Sequence, residues 1–202
     1  MMRVAVIDAG GANLGSVCNA LQRLGAVPVP TADARLIEGC ERVILPGVGH
    51  AAAAMARLHA SGLVALLRAL RQPLLGICLG MQLLFEHSEE GDVDCLGLLP
   101  GQVRRLQPAP GIRIPHMGWN RLRLRDAGSL LEGVGEGEPC YFVHGFAAPV
   151  TSDCVAWCSH GQAFAAVVQR GHTAGVQFHP ERSGATGARI LANFLSGALA
   201  CG

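Results

Sequence analysis

Short apolar runs alternate with helix-like stretches through the first half of the chain. Residues 4–7, 27–29, 42–45 and 74–77 read as strands. Between them, 14–24 and about 51–70 carry helical patterning, the second with a break expected at Gly62. Residues 79–85 are expected to open another helix directly after the strand at 74–77. Apolar strands joined by helices imply βαβ units and a parallel sheet covered on both faces. The second half differs. Residues 121–125 alternate strictly, Arg-Leu-Arg-Leu-Arg, which predicts an exposed strand with a solvated arginine face. Residues 140–144, 155–159, 164–169 and 174–178 read as further strands, and a last helix is expected at about 187–199. The expected fold is α/β: one domain over residues 1–202, with a mostly parallel central sheet flanked by helices and an added antiparallel section.

Composition narrows the chemistry. Half of the 202 residues are hydrophobic and 15% are charged, so a sizeable core can form. All 16 basic residues are Arg. Without Lys, a P-loop ATPase and Schiff-base chemistry are excluded. A net charge of +1 gives no overall basic field, and no nucleic-acid partner is expected. The apolar region 62–85 is cut by Arg68, Arg71, Gln72 and Pro73, so no membrane span is expected. The apolar run before Asp8 is too short for a signal-peptide core. The eight Cys include no CxxC pair, which fits a cytoplasmic protein with reduced, mostly buried thiols. Cys154, Cys158 and His160 share a strand face but lack a fourth ligand, so no metal is expected. His59, His87 and His172 read as exposed.

The sharpest local feature is Pro73-Leu-Leu-Gly-Ile-Cys78-Leu-Gly80-Met-Gln82. An apolar strand runs into Gly-Ile-Cys-Leu-Gly and then a helix, the Cys form of a nucleophile elbow. Gly76 and Gly80 let strand and helix pack closely around a tight turn. Cys78 then sits at the carboxyl end of the sheet, where open α/β folds bind ligands. A helix N-terminus beneath it would favour a thiolate, and the Leu79 N–H could hold an oxyanion. A buried strand-end Cys is the alternative.

A nucleophilic Cys needs a base and a group to orient that base. Val176-Gln-Phe-His179-Pro180-Glu181 offers both at the end of an apolar strand. In extended backbone, His179 and Glu181 would point the same way, and Pro180 biases His179 toward that conformation. A carboxylate beside a His can set its tautomer and stabilise the imidazolium. Alone, His-Pro-Glu is more often a surface turn than a triad arm.

Together, GICLGMQ and GVQFHPE resemble the class I, triad-type glutamine amidotransferases. LPGVGH at 45–50, IPHMGWN at 114–120, YFVH at 141–144 and HPERS at 179–183 are similar to glutaminase subunits of imidazole glycerol phosphate synthase. The resemblance runs from Val4 to Phe194. It implies that Cys78 attacks the glutamine carboxamide, His179 moves the proton and Glu181 orients His179. It further implies an oxyanion site at Leu79 and the Gly47-Val48 peptide, and glutamine held by Gly49, Gln82 and Glu90. No cofactor is implied. The implied partner is a (β/α)8-barrel cyclase subunit that receives the ammonia, met by Asn13, Met117, Trp119, Asn120, Tyr141 and Arg182.

Several positions depart from the family pattern. Ala9, Gly11 and Ala12 alter the first loop. Gly145 and Phe146 stand where a hydroxyl residue and Tyr are usual, so a carboxylate contact through a hydroxyl is lost. Arg182 replaces the usual Lys. A paralogue feeding another synthase, as in surface-polysaccharide biosynthesis, a stand-alone γ-glutamyl hydrolase, and a non-catalytic interaction protein remain open at this point.

Overall fold

The computed structural model describes residues 1–8, 14–125, 128–197 and 199. Asn13 and the departures at positions 9, 11 and 12 lie outside them. The first half contains β1 (Arg3–Ile7), α1 (Leu14–Arg23), β2 (Val27–Thr31), α2 (Ala34–Glu38), β3 (Arg42–Gly47), α3 (Ala51–Ala60), α4 (Leu63–Ala69), β4 (Leu74–Cys78) and α5 (Leu79–Gln82). Short strands follow: β5 (His87–Ser88), β6 (Val93–Asp94), β7 (Gln102–Arg105), β8 (His116–Arg121) and β9 (Arg123–Leu124). The remainder holds β10 (Pro139–His144), β11 (Phe146–Ala147), β12 (Cys154–His160), β13 (Gln162–Arg170), β14 (Thr173–Val176) and α6 (Gly184–Ser196).

An eight-stranded sheet has the order β2-β1-β3-β4-β14-β13-β12-β9. The five strands β2, β1, β3, β4 and β14 run parallel, and β13, β12 and β9 extend them antiparallel. This is the expected architecture. Side chains alternate through the parallel strands. Val4, Val6, Ile44, Leu75 and Ile77 enter one buried cluster. Ala5, Ile7, Val43, Leu45 and Leu74 enter the cluster on the opposite face. Burial on both faces explains the unbroken apolar runs. The helical stretch after β3 breaks as expected: Gly62 takes φ +69° between α3 and α4.

The short α2, β5, β6, β7 and β11 had no counterpart in the sequence pattern, and three further elements differ from the expectation near the site. The helix after Cys78 lasts only from Leu79 to Gln82. The carbonyls of Leu83, Leu84 and Phe85 instead accept N–H groups from residues 96–99, and these bonds replace further helical turns. Residues 121–125 do not form one strand. Leu122 is fully buried and its N–H bonds to Glu138 O, which splits the run between β8 and β9. The segment 116–121, for which the sequence pattern gave no strand, forms β8 and pairs with β10 in a separate two-stranded ribbon.

Candidate active site

Cys78 ends β4 and precedes α5 with φ +54° and ψ −112°. A non-glycine residue rarely adopts positive φ, so surrounding packing must hold it there. That packing is backbone against backbone. A Cβ on Gly80 would lie 1.8 Å from Leu45 O, and one on Gly76 would lie 2.7 Å from Gly80 O and Met81 N. The two glycines flanking Cys78 thus let α5 sit directly on β3 and β4. Because α5 is one turn long, it supplies little helix dipole. The expectation that a helix terminus favours a thiolate therefore gives way to the side chains around the sulfur.

The most direct of these is His179, which follows β14. Its Nδ1 lies 2.9 Å from Glu181 Oε1, and both side chains are almost completely enclosed. His179 has extended backbone, as Pro180 requires, but Pro180–Arg182 then forms a 3-10 turn. The carboxylate therefore reaches the imidazole by folding back, not by extended-strand geometry. Burial alone would push the His179 pKa down. Hydrogen bonds and electrostatic attraction involving Cys78 and Glu181 outweigh burial and raise it well above the ordinary imidazole range. The Cys, His and Glu selected from sequence are therefore brought together.

Cys78, Leu79 and His179 open onto a cavity of about 280 Å³. Val48, Gly49, Gln82 and Glu90 line it as well, with Pro115 and residues 143–146 opposite. Gly47 lies directly beside Cys78 in the β3–β4 register but does not line the cavity. Gly49 takes φ +101°, a conformation that suits glycine. Glu90 has a second role, since its Oε2 accepts the Ala51 N–H at 2.8 Å at the start of α3. Gln82 Nε2 donates to Phe146 O at 2.7 Å and to Gln177 Oε1 at 3.0 Å. A Cβ on Gly145 would meet only Pro115 Cβ, at 3.9 Å, so packing does not demand glycine at this wall.

Sequence reasoning missed Gln177. It is fully buried, and its Nε2 lies 3.8 Å from Cys78 Sγ. Its signal was present, because a polar amide stands inside the otherwise apolar Val176-Gln177-Phe178 run.

The remaining selected residues gather on the β8–β10 ribbon. Met117 is 65% exposed and Trp119 59% exposed. Trp119 opposes Tyr141 with ring centroids 5.8 Å apart, and the Arg182 guanidinium lies 5.7 Å from the Tyr141 ring. Asn120 points to the inner face, where its Nδ2 donates to Ser159 O at 2.9 Å. The ribbon is fastened to the triad loop: the His179 N–H donates to Tyr141 O at 2.9 Å, and the Tyr141 N–H to Ser183 Oγ at 3.0 Å. Among the described residues no cluster of three or more His, Cys, Asp or Glu could hold a metal ion, and no helix is long and apolar enough to cross a membrane. His59 is exposed, whereas His87 and His172 are half-buried. His87 sits between Asp92 and Asp94.

Residues 5–198 match the family described as Glutamine amidotransferase class-I. The "Imidazole glycerol phosphate synthase subunit HisH" of Xylella fastidiosa (strain Temecula1) is 66% identical over 195 residues, covering 96% of this chain and 98% of that one. The subunit of the same name from Xanthomonas axonopodis pv. citri is 66% identical over 196 residues with the same coverage. A solved structure titled "Crystal structure of glutamine amidotransferase" superposes with a TM-score of 0.75 at 22% identity, covering 96% of this chain and 98% of that one, and supports the fold. An eight-stranded α/β sheet with Cys78 at a strained strand end, facing a His–Glu pair, is thus accompanied by close sequence kinship, and the chain belongs to the class I glutamine amidotransferases, within the group of imidazole glycerol phosphate synthase subunits HisH.

Proposed function

We propose that the whole chain acts as one glutaminase domain. It hydrolyses glutamine to glutamate and ammonia, and the ammonia serves imidazole glycerol phosphate synthesis in histidine biosynthesis. The observation that carries the mechanism is the convergence of Cys78, His179 and Glu181 on one small cavity. Cys78 Sγ attacks the carboxamide carbon, and the proton it gives up resides on His179. The tetrahedral oxyanion is met by the Leu79 N–H and the Gly47-Val48 peptide; one such donor is worth roughly 10²–10³ in rate. Collapse returns the proton to the leaving nitrogen, releases ammonia and leaves a γ-glutamyl thioester. Water then attacks the thioester, glutamate departs, and Cys78 and His179 are restored. Gly49, Gln82 and Glu90 hold the amino-acid end of the substrate, with the Glu90 carboxylate suited to its α-ammonium.

The ammonia passes to a (β/α)8-barrel cyclase subunit, which makes imidazole glycerol phosphate and aminoimidazole carboxamide ribotide. Passage out of water keeps the ammonia unprotonated and nucleophilic. The exposed Met117 and Trp119, beside Tyr141 and Arg182, support a docking face for that partner, since exposed aromatic and Met side chains are characteristic of interfaces. The proposal places the enzyme in the cytoplasm, without cofactor or metal, and with no nucleic-acid or membrane partner. Glutamine hydrolysis by the chain, alone and with the cyclase subunit plus its nucleotide substrate, tests the reading. The expected result is weak activity alone, strong stimulation in the complex and none for Cys78→Ala. Full activity from the isolated chain would favour a stand-alone γ-glutamyl hydrolase. Turnover by Cys78→Ala would overturn the site.

A further inference from the structure

A line of polar groups, buried from His116 inward, connects the inner face of the β8–β10 ribbon to the Cys78 sulfur. Asn120 Nδ2 lies 3.4 Å from His116 Nε2, and His116 Nδ1 lies 3.1 Å from His144 Nε2. His144 Nδ1 is 2.8 Å from Phe146 O. The same carbonyl accepts Gln82 Nε2, which also donates to Gln177 Oε1, and Gln177 Nε2 reaches Cys78 Sγ.

The direction of every bond follows from its neighbours. A carbonyl can only accept, so His144 Nδ1 carries the hydrogen and its Nε2 is the acceptor. His116 Nδ1 must then donate, and His116 Nε2 accepts from Asn120. Burial keeps both rings neutral, because it pushes the His116 pKa down to about 4 and the His144 pKa to about 3. Phe146 O uses both lone pairs, and Gln82 Nε2 uses both hydrogens. Flipping the Gln82 amide would set its oxygen against Phe146 O. Flipping Gln177 would set its nitrogen against the Gln82 N–H. The orientation is therefore fixed from Phe146 O to the sulfur, and an N–H is what Gln177 presents to Cys78.

We infer that Gln177, anchored through Gln82 and Phe146 O to the His144–His116 pair, is a positioning residue that sets the Cys78 sulfur, and that the docking ribbon shares this hydrogen-bonded line. The line gives polar partners to two histidines that the ribbon buries against Phe142 and Phe164, a placement that costs solvation. It also explains the amide inside strand-end residues 176–178.

The inference rests on the proposed glutaminase reading, and its test separates the two. The rate constant for Cys78 alkylation by iodoacetamide reads the sulfur without glutamine. Steady-state glutamine hydrolysis in the complex with the cyclase subunit reads the reaction. Gln177→Glu keeps size and the acceptor for Gln82 but removes the N–H. It is expected to slow alkylation and kcat roughly tenfold or more, the size of one lost hydrogen bond at a reacting atom, with KM within threefold. His144→Leu is expected to behave similarly, and His144→Asn, which restores an N–H toward Phe146 O, to recover most of the loss. Should His144→Leu fail to fold, Gln177→Glu decides alone. Alkylation and kcat of Gln177→Glu within twofold of the parent would overturn the inference, as would a rise in KM with unchanged kcat. Absence of glutamine hydrolysis by the parent complex would sink the glutaminase reading, while the alkylation comparison would still judge Gln177.

Discussion

The turn at Cys78 and the ribbon beside it are neighbours held by different forces. At the turn, backbone atoms touch backbone atoms: Gly80 against Leu45 O, and Gly76 against Gly80 and Met81. Nothing there can rearrange without moving β3, β4 or α5. The ribbon has two strands, and its apolar Met117 and Trp119 face outward while polar His116 and Asn120 face inward. Hydrogen bonds hold it to the triad loop and to Phe146 O, and buried Phe142 packs its β10 strand against Phe164 and Phe178. A nucleophile fixed by backbone contacts thus stands next to a segment fixed by side-chain contacts and hydrogen bonds.

The first way to break the contrast is to overpack the turn. Gly80→Ala places a methyl group at a position occupied by backbone, where no side chain can yield. Overpacking of this kind typically costs 1–3 kcal/mol and more when backbone must shift, so a loss of about 3 kcal/mol or more is expected. For a domain of this size that lowers Tm by roughly 10 °C, measurable by calorimetry. A Tm within 2 °C of the parent would show that the turn is not held as described.

The ribbon's inner face should fail next, through pH. His116 and His144 are 4% and 6% exposed, and their folded pKa values are depressed from 6.5 to about 4 and about 3. Burial is the main cause for both. The His160 ring stacked on His116 adds to it there, and at His144 the bond to Phe146 O opposes it. Protons then bind the unfolded chain more tightly than the folded one. The contribution of these groups is fully present above pH 6.5 and is lost as pH falls toward 4. At about 1.4 kcal/mol per unit of difference, the pair should remove on the order of 2 kcal/mol or more between pH 6.5 and 5. Denaturant titrations at these pH values measure it. His116→Asn should flatten the slope, and an equal slope in both proteins would refute the assignment.

Legibility in the sequence follows the same division. The parallel strands and Cys78 could be read because apolar runs and G-x-C-x-G spacing report local packing directly. The helix after Cys78 was over-extended because its end is set by residues 96–99, whose N–H groups capture the carbonyls of 83–85. Strand β8 was missed because its pattern is inverted, with His116 and Asn120 inside and Met117 and Trp119 outside. Gln177 escaped notice because its partners, Gln82 and Cys78, are about a hundred positions away in sequence and close only in the fold.

The outer face of the ribbon can be tested apart from its inner face. Trp119→Ala removes an exposed ring, so stability should change by less than about 1 kcal/mol. As a central aromatic of a docking face it should weaken partner binding by about 2 kcal/mol, roughly 30-fold, in a titration against the cyclase subunit. Unchanged affinity would move the interface elsewhere.

Arg182→Lys is the finest test. The chain has no Lys, and Arg182 stands where the family resemblance implies one. Its guanidinium lies near the Tyr141 ring, an exposed cation–π contact worth about 0.5–1 kcal/mol. Lys keeps the charge but exchanges a planar fork for a point charge, so any bidentate contact to a partner carboxylate is lost. Tm should therefore shift by no more than a degree or two. Stimulation of glutamine hydrolysis by the cyclase subunit should change a few-fold, because Tyr141 O accepts the His179 N–H and ties this position to the triad loop. Equal stimulation in both proteins would mean that the Arg182–Tyr141 pair lies outside the coupling between docking face and nucleophile, leaving the inner line through His116 and His144 as the route to test.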